Sequence, residues 1–289
     1  VVADSSTDSL TLSAGANNSS TEFSGLISGT GGLVKNGSGT LTLSGTNTYT
    51  GDTTVNSGAV LVNGYQPGSP VVFVGGLLGG TGTVATVTSS GSNAKTLAPG
   101  ISPGMLSVSN VALSSSTTFF VELNGTNAGV GYDQLNVTGT VNLASAMLSN
   151  SLGFTPALSN SFTIIANDLS DAVVGTFNGL AQDAVFAIGG LLFQINYAGG
   201  VGGNDVVLTR VQSAPSTITS ITRSNNGAMR MQGLGLPLVA YTIQATINLN
   251  PPVTWTNLST DAADGAGAYE FVDAEAPLYP QRFYRVLSP

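Results

Sequence analysis

Gly31-Gly32-Leu33-Val34-Lys35-Asn36-Gly37-Ser38-Gly39-Thr40-Leu41-Thr42-Leu43-Ser44-Gly45-Thr46-Asn47-Thr48-Tyr49-Thr50-Gly51 sets the texture of the first two-thirds of the chain. Apolar and small polar residues alternate with period two, the pattern of a strand buried on one face. Gly and Asn recur at the strand ends, where turns call for positive φ. The pattern returns in Gly58-Ala59-Val60-Leu61-Val62-Asn63-Gly64, Met105-Leu106-Ser107-Val108 and Gly139-Thr140-Val141-Asn142-Leu143. The strand that starts at Gly39 is followed by one at Gly58, 19 residues on, and by one at Gly76, 18 further. Such a period fits one coil of a solenoid, in which each rung stacks its strands on the next. On pattern alone, a two-sheet sandwich or barrel of the same short strands is the alternative. No stretch follows the i, i+3, i+4 spacing of a helix, and the scarcity of Lys and Glu argues against surface helices.

Composition narrows the chemistry. Of 289 residues, 42% are apolar and only 8% are charged, against roughly 25% charged in an ordinary soluble domain. Ser, Thr, Asn and Gly must therefore supply the polar surface. There is no Cys and no His, which removes thiol nucleophiles, disulfides, thiolate metal sites and imidazole bases from these residues. With a net charge of −8 and seven Lys and Arg, the chain lacks the basic footprint of a nucleic-acid binder or of a protein drawn to anionic membranes. No apolar run reaches the length of a membrane span. The start at Val1-Val2-Ala3 is expected to follow removal of a signal peptide.

Near residue 211 the texture changes. Gln212-Ser213-Ala214-Pro215-Ser216 reads as a linker, so the expected domains are 1–211, a linker 212–216, and 217–289. The last part holds Arg223, Arg230, Arg282, Arg285 and the single Trp, Trp255. Candidate strands at 217–222, 228–232, 241–245, 253–258, 269–272 and 283–287 predict a small antiparallel sandwich of immunoglobulin or fibronectin type, with Trp255 as its core anchor.

Residues 31–51, followed by Thr53-Thr54-Val55-Asn56-Ser57-Gly58, resemble the passenger-associated strand repeat of bacterial autotransporters. Leu97-Ala98-Pro99-Gly100-Ile101-Ser102-Pro103-Gly104 and Tyr132-Asp133-Gln134-Leu135-Asn136-Val137-Thr138-Gly139 are similar to two further segments of such passengers. Gly203-Asn204-Asp205-Val206-Val207-Leu208-Thr209 resembles their closing strand. The likeness covers about residues 25–211. It implies a right-handed parallel β-helix that is secreted and surface-exposed, with adhesion, self-association or the carrying of other domains as its roles. Here a sandwich-like segment, rather than a membrane-barrel translocator, follows Thr209; it is similar to a small C-terminal domain of secreted proteins from environmental bacteria. The expectation is therefore that this chain does not export or anchor itself as an autotransporter does.

Few residues invite chemistry. Asp52, Glu122, Asp133, Asp168, Asp171, Asp183 and Asp205 are scattered along the solenoid, with Lys35, Lys95 and Arg210 as its cations. They read as solvated turn residues rather than as the clustered carboxylates of a polysaccharide-cleaving enzyme. Gly202-Gly203-Asn204-Asp205 is a single copy of a pattern that needs several copies to wrap calcium. The group Asp261, Asp264, Glu270, Asp273 and Glu275 reads as a solvated loop face, with calcium binding as the alternative. No metal and no cofactor is expected. The expected function is that of a non-enzymatic, extracellular structural protein that assembles with copies of itself. An adhesin that binds cell-surface glycans is the alternative, for which Tyr49, Tyr65, Tyr132 and Tyr197 are the aromatics available; a polysaccharide-degrading enzyme comes third. Leu10, Leu12 and Phe23 are the candidate assembly residues, on an N-terminal edge where Ser9-Leu10-Thr11-Leu12-Ser13 reads as a strand and Glu22-Phe23-Ser24-Gly25-Leu26-Ile27-Ser28-Gly29 as a further rung; the alternative is that residues 1–13 fold back and cover their own end.

Overall fold

The computed structural model describes residues 2–3, 10–100, 102–168, 171–212, 216–237 and 239–287, the first two as backbone only. Among these residues there is no α-helix, only strands, turns and the short 3-10 turn Ala276–Leu278. The chain divides into two compact units: Val1–Ala184 with Gln194–Arg210, and Val185–Phe193 with Val211–Pro289.

The first unit is a parallel β-solenoid with three sheets. The first sheet stacks Thr11–Ala14, Gly32–Lys35, Thr53–Val55, Val71–Phe73, Val87–Ser89, Val111–Ala112 and Val141–Asn142. The second stacks Thr21–Phe23, Thr40–Leu43, Ala59–Val62, Gly76–Gly80, Lys95–Pro99, Thr117–Leu123 and Met147–Leu152. The third begins with Tyr65–Gln66, Thr83–Val84, Met105–Val108, Gln134–Val137 and Ser161–Asn167, all parallel. It then turns antiparallel where Ser161–Asn167 meets Asp205–Arg210.

Register explains why the alternation had to be so regular. Leu41, Val60, Leu78, Leu97 and Phe119 lie on one another in consecutive rungs of the second sheet, and each is buried. A slip of one residue would turn the whole apolar column outward. Fully burying such a side chain is worth about 1.5–3 kcal/mol, so the column adds to the cohesion that the main-chain ladders give between rungs. The rungs lengthen along the chain, as the register partners show: Leu41 to Val60, Leu97 to Phe119, Phe119 to Leu148. The wider late rungs take aromatic filling. Phe119 stacks on Phe177 at 5.8 Å, and Tyr132 meets Phe162 edge-on at 5.3 Å.

Both lysines break the apolar rule. Lys35 and Lys95 point inward on their strands and are buried. The Lys35 ammonium donates to the carbonyls of Asn36 (2.6 Å), Gly37 (2.9 Å) and Ser57 (3.3 Å), and Lys95 donates to Gly91 O (3.1 Å) and Ser116 Oγ (2.7 Å). They tie together the turns that join the first sheet to the second, and burial holds both ammonium groups below the usual lysine range.

Among the described residues the two ion pairs, Arg230–Glu270 and Arg282–Asp273, both lie in the second unit. The melting temperature of the solenoid should therefore change little between low salt and about 1 M NaCl, since the unit carries few charges for salt to screen. A steep fall, followed by circular dichroism, would show that charge holds the rungs together.

The second unit has two three-stranded antiparallel sheets, one ordered Thr217–Arg223, Met229–Leu234, Ala268–Asp273, the other Thr256–Ala262, Ala240–Thr246, Phe283–Leu287. Tyr241 of one sheet stacks on Tyr269 of the other at 5.2 Å, and with Leu192, Val239 and Ala263 they form the core. Gly233 and Gly235 lie where any Cβ would strike the Tyr269 and Tyr241 rings. The sequence-based core anchor is corrected here: Trp255 is only half-buried, outside the core cluster, with the Arg285 guanidinium 4.3 Å above its ring. It precedes its strand, which runs Thr256–Ala262 rather than 253–258.

Candidate functional site

The N-terminal end of the solenoid carries the residues singled out for assembly. Thr11–Ala14 and Thr21–Phe23 are the outermost strands of the first and second sheets among the described residues. Beside them, Val2–Ala3 pairs in parallel with Ile27–Ser28. Leu12 and Phe23 line a largely apolar cavity of about 250 Å³, together with Ile27, Leu33, Leu41 and Leu43. Leu12 is 40% exposed and Phe23 half-buried. Leu10 is 61% exposed and is not part of that lining. The structure thus brings two of the three residues together; the expected strand at Ser9 lies partly outside the described residues.

The two motifs that follow the repeat are joined through one carboxylate. Asp133 accepts the Gly104 N–H at Oδ1 and the Glu122 N–H at Oδ2, both at 2.8 Å. A Cβ on Gly100, whose φ is +89°, would collide with Gly104 N and Asp133 Oδ1, so the turn needs glycine there. Asp133 is buried, which corrects its reading as a solvated turn residue. Burial pushes its carboxyl up to about 6, against the pull of the two N–H donors. A pKa raised above the unfolded value favours the fold below the unfolded pKa, and that contribution fades as pH rises through about 6. Between about pH 4 and about pH 7 the wild-type solenoid should therefore lose stability relative to Asp133→Asn, whose amide does not titrate. Melting curves of both proteins over this range check it; equal pH slopes would contradict it.

The other candidates are dispersed. Glu270 pairs with Arg230, Asp273 with Arg282, Asp261 accepts from Ser259, and Asp264 bonds the N–H groups of its own turn. Among the described residues no group of three or more His, Cys, Asp or Glu is set to hold a metal ion. Asp205 and Asn204 bond to Asn167 and Asp168 instead. Of the four tyrosines considered for glycan contact, Tyr49, Tyr132 and Tyr197 are buried and only Tyr65 is exposed. What sequence reasoning missed lies in the second unit. Asp273, 4% exposed, holds Arg282 at 3.0 Å, accepts from Tyr284 at 2.8 Å, and lies in the lining of an open cleft of about 660 Å³.

Stacked parallel rungs define a parallel β-solenoid, and its motifs resemble those of autotransporter passengers. Residues 33–62 match the family model Passenger-associated-transport-repeat. An extracellular serine protease of Serratia marcescens is 30% identical over 260 residues, 86% of this chain and 23% of the protease. The adhesin BmaC autotransporter of Brucella suis biovar 1 (strain 1330) is 46% identical over 78 residues, 25% of this chain and 2% of the adhesin. The chain thus spans less than a quarter of the length of these curated relatives. These likenesses support a secreted or surface location. They also overturn the expectation of a non-enzymatic protein, since the relative similar over most of the chain is a protease. The expectation rested on the lack of imidazole and of a carboxylate–cation cluster in these 289 residues, an absence that does not decide the protein's activity.

Proposed function

We propose that the chain is a surface-presented passenger solenoid that assembles end to end with copies of itself. The observation that carries this is the N-terminal end, where two terminal strands flank an apolar opening lined by Leu12 and Phe23. An added strand would satisfy main-chain groups along Thr11–Ala14 and Thr21–Phe23, and an apolar side chain would enter the opening. The open strand of a neighbouring copy, such as Thr217–Arg223 at the edge of its sheet, is the complementary surface. The two surfaces differ, so the contact is heterologous and gives rings or filaments. Deleting residues 1–12 tests the reading by electron microscopy and sedimentation. Filaments from the intact chain and monomers from the truncated one support it. A monomeric intact chain, or equal assembly of both, overturns it.

The protease relative favours a second reading, in which this solenoid is a segment of a longer secreted peptidase. Inhibitor-sensitive hydrolysis of a protein substrate by the longer gene product supports that reading, and its absence under the same conditions overturns it.

A further inference from the structure

We infer that the cleft of the second unit, built around the buried Asp273–Arg282 pair, is a binding site for a short neutral saccharide. Its volume, about 660 Å³, falls among small-ligand sites. Its floor is fixed. Asp273 accepts from Arg282 Nη1 (3.0 Å), from the Tyr284 hydroxyl (2.8 Å) and from the Glu275 N–H (3.0 Å). A buried ion pair adds little stability over apolar packing, so its place beneath an open cleft points to a role beyond holding the sheets together.

The rim supplies what sugar hydroxyls need. Asn257 Oδ1 accepts from Gln244 Nε2 at 2.6 Å, which fixes the amide and leaves Nδ2 as a donor. Glu275 is exposed at the rim as an acceptor. Thr254 and Thr256 are exposed hydroxyls in the same lining. Tyr279, 37% exposed, offers a ring to the apolar face of a pyranose, with Arg282 packed 4.3 Å from its centre.

Charge selects the class. Arg282 is already neutralised by Asp273, and the Glu275 carboxylate repels anions, so phosphorylated, sulfated or uronic ligands are disfavoured. A neutral ring with vicinal hydroxyls and an apolar face matches donors, acceptors and aromatic together. Such a site would give the protein a surface ligand whether or not copies of it assemble.

Isothermal titration of the full chain with maltohexaose, cellohexaose, mannohexaose and xylohexaose tests the site, with Trp255 fluorescence as a second readout. Trp255 is the sole tryptophan and is linked to the cleft through Arg285, Gln244 and Asn257. At least one oligosaccharide should bind. Glu275→Gln and Tyr279→Ala should each weaken it tenfold or more, while Tyr65→Ala, on the solenoid, should leave affinity unchanged. Glu275 is exposed, so its variant should fold as wild type, checked by circular dichroism. No binding across the panel, or binding indifferent to both cleft variants, overturns the inference.

Discussion

Replacing Phe119 by alanine should destabilise the solenoid by about 3–5 kcal/mol, the range for removing a buried aromatic ring. Phe119 is fully buried, lies between Leu97 and Leu148 in consecutive rungs, and stacks on Phe177. Parallel rungs are tied to their neighbours by main-chain bonds, so the wall can close only partly over the hole. In a stacked repeat the loss falls on the interfaces to both neighbouring rungs. The outward-facing neighbour Thr118 is the control, and Thr118→Ala should stay within about 0.5 kcal/mol of wild type. Urea unfolding followed by circular dichroism decides it. A loss below about 1 kcal/mol for Phe119→Ala would mean that the late rungs are not packed as described.

The second large effect belongs to the other unit. Arg282→Met should cost about 3–5 kcal/mol, because it strands a buried carboxylate without its cation. Asp273 would keep the Tyr284 hydroxyl and the Glu275 N–H, which do not offset its charge. Adding Asp273→Asn should recover most of the loss, since the amide oxygen still accepts from Tyr284 and no charge remains buried. Arg230→Met, which breaks the exposed pair with Glu270, should have no measurable effect. Trp255 fluorescence reports on this unit alone. If Arg282→Met and Arg230→Met behave alike, the Asp273–Arg282 pair is not buried in solution.

The solenoid was legible in the sequence because its rule is local and repeated. Leu41 and Leu43 alternate with Thr40 and Thr42, and the same column returns at Val60 and Leu78 in neighbouring rungs. What escaped depends on partners far away along the chain. Asp133 is buried because Gly104, 29 residues earlier, supplies an N–H; no pattern around Asp133 says so. Trp255 has the largest apolar surface in its unit, yet Arg285 covers it from outside while two tyrosines from different sheets fill the core. Leu192, placed in the solenoid by the texture of its surroundings, packs in the core of the second unit. Leu12 and Phe23 were found from alternation alone, but the cavity they share became visible only when Ile27, Leu33, Leu41 and Leu43 were brought round them.

Cross-linking tests the parallel stacking of rungs most directly, and the absence of native cysteine makes it clean. Thr40 lies opposite Ala59 and Thr42 opposite Leu61, with neighbouring strands about 4.8 Å apart. The pairs Thr40→Cys with Ala59→Cys and Thr42→Cys with Leu61→Cys should therefore both form disulfides under mild oxidation. Thr40→Cys with Leu61→Cys should not, since in a parallel ladder that diagonal is roughly 8 Å, beyond disulfide reach. Ready cross-linking of the diagonal pair, with failure of the two direct pairs, would mean that these strands run antiparallel and that the solenoid account is wrong.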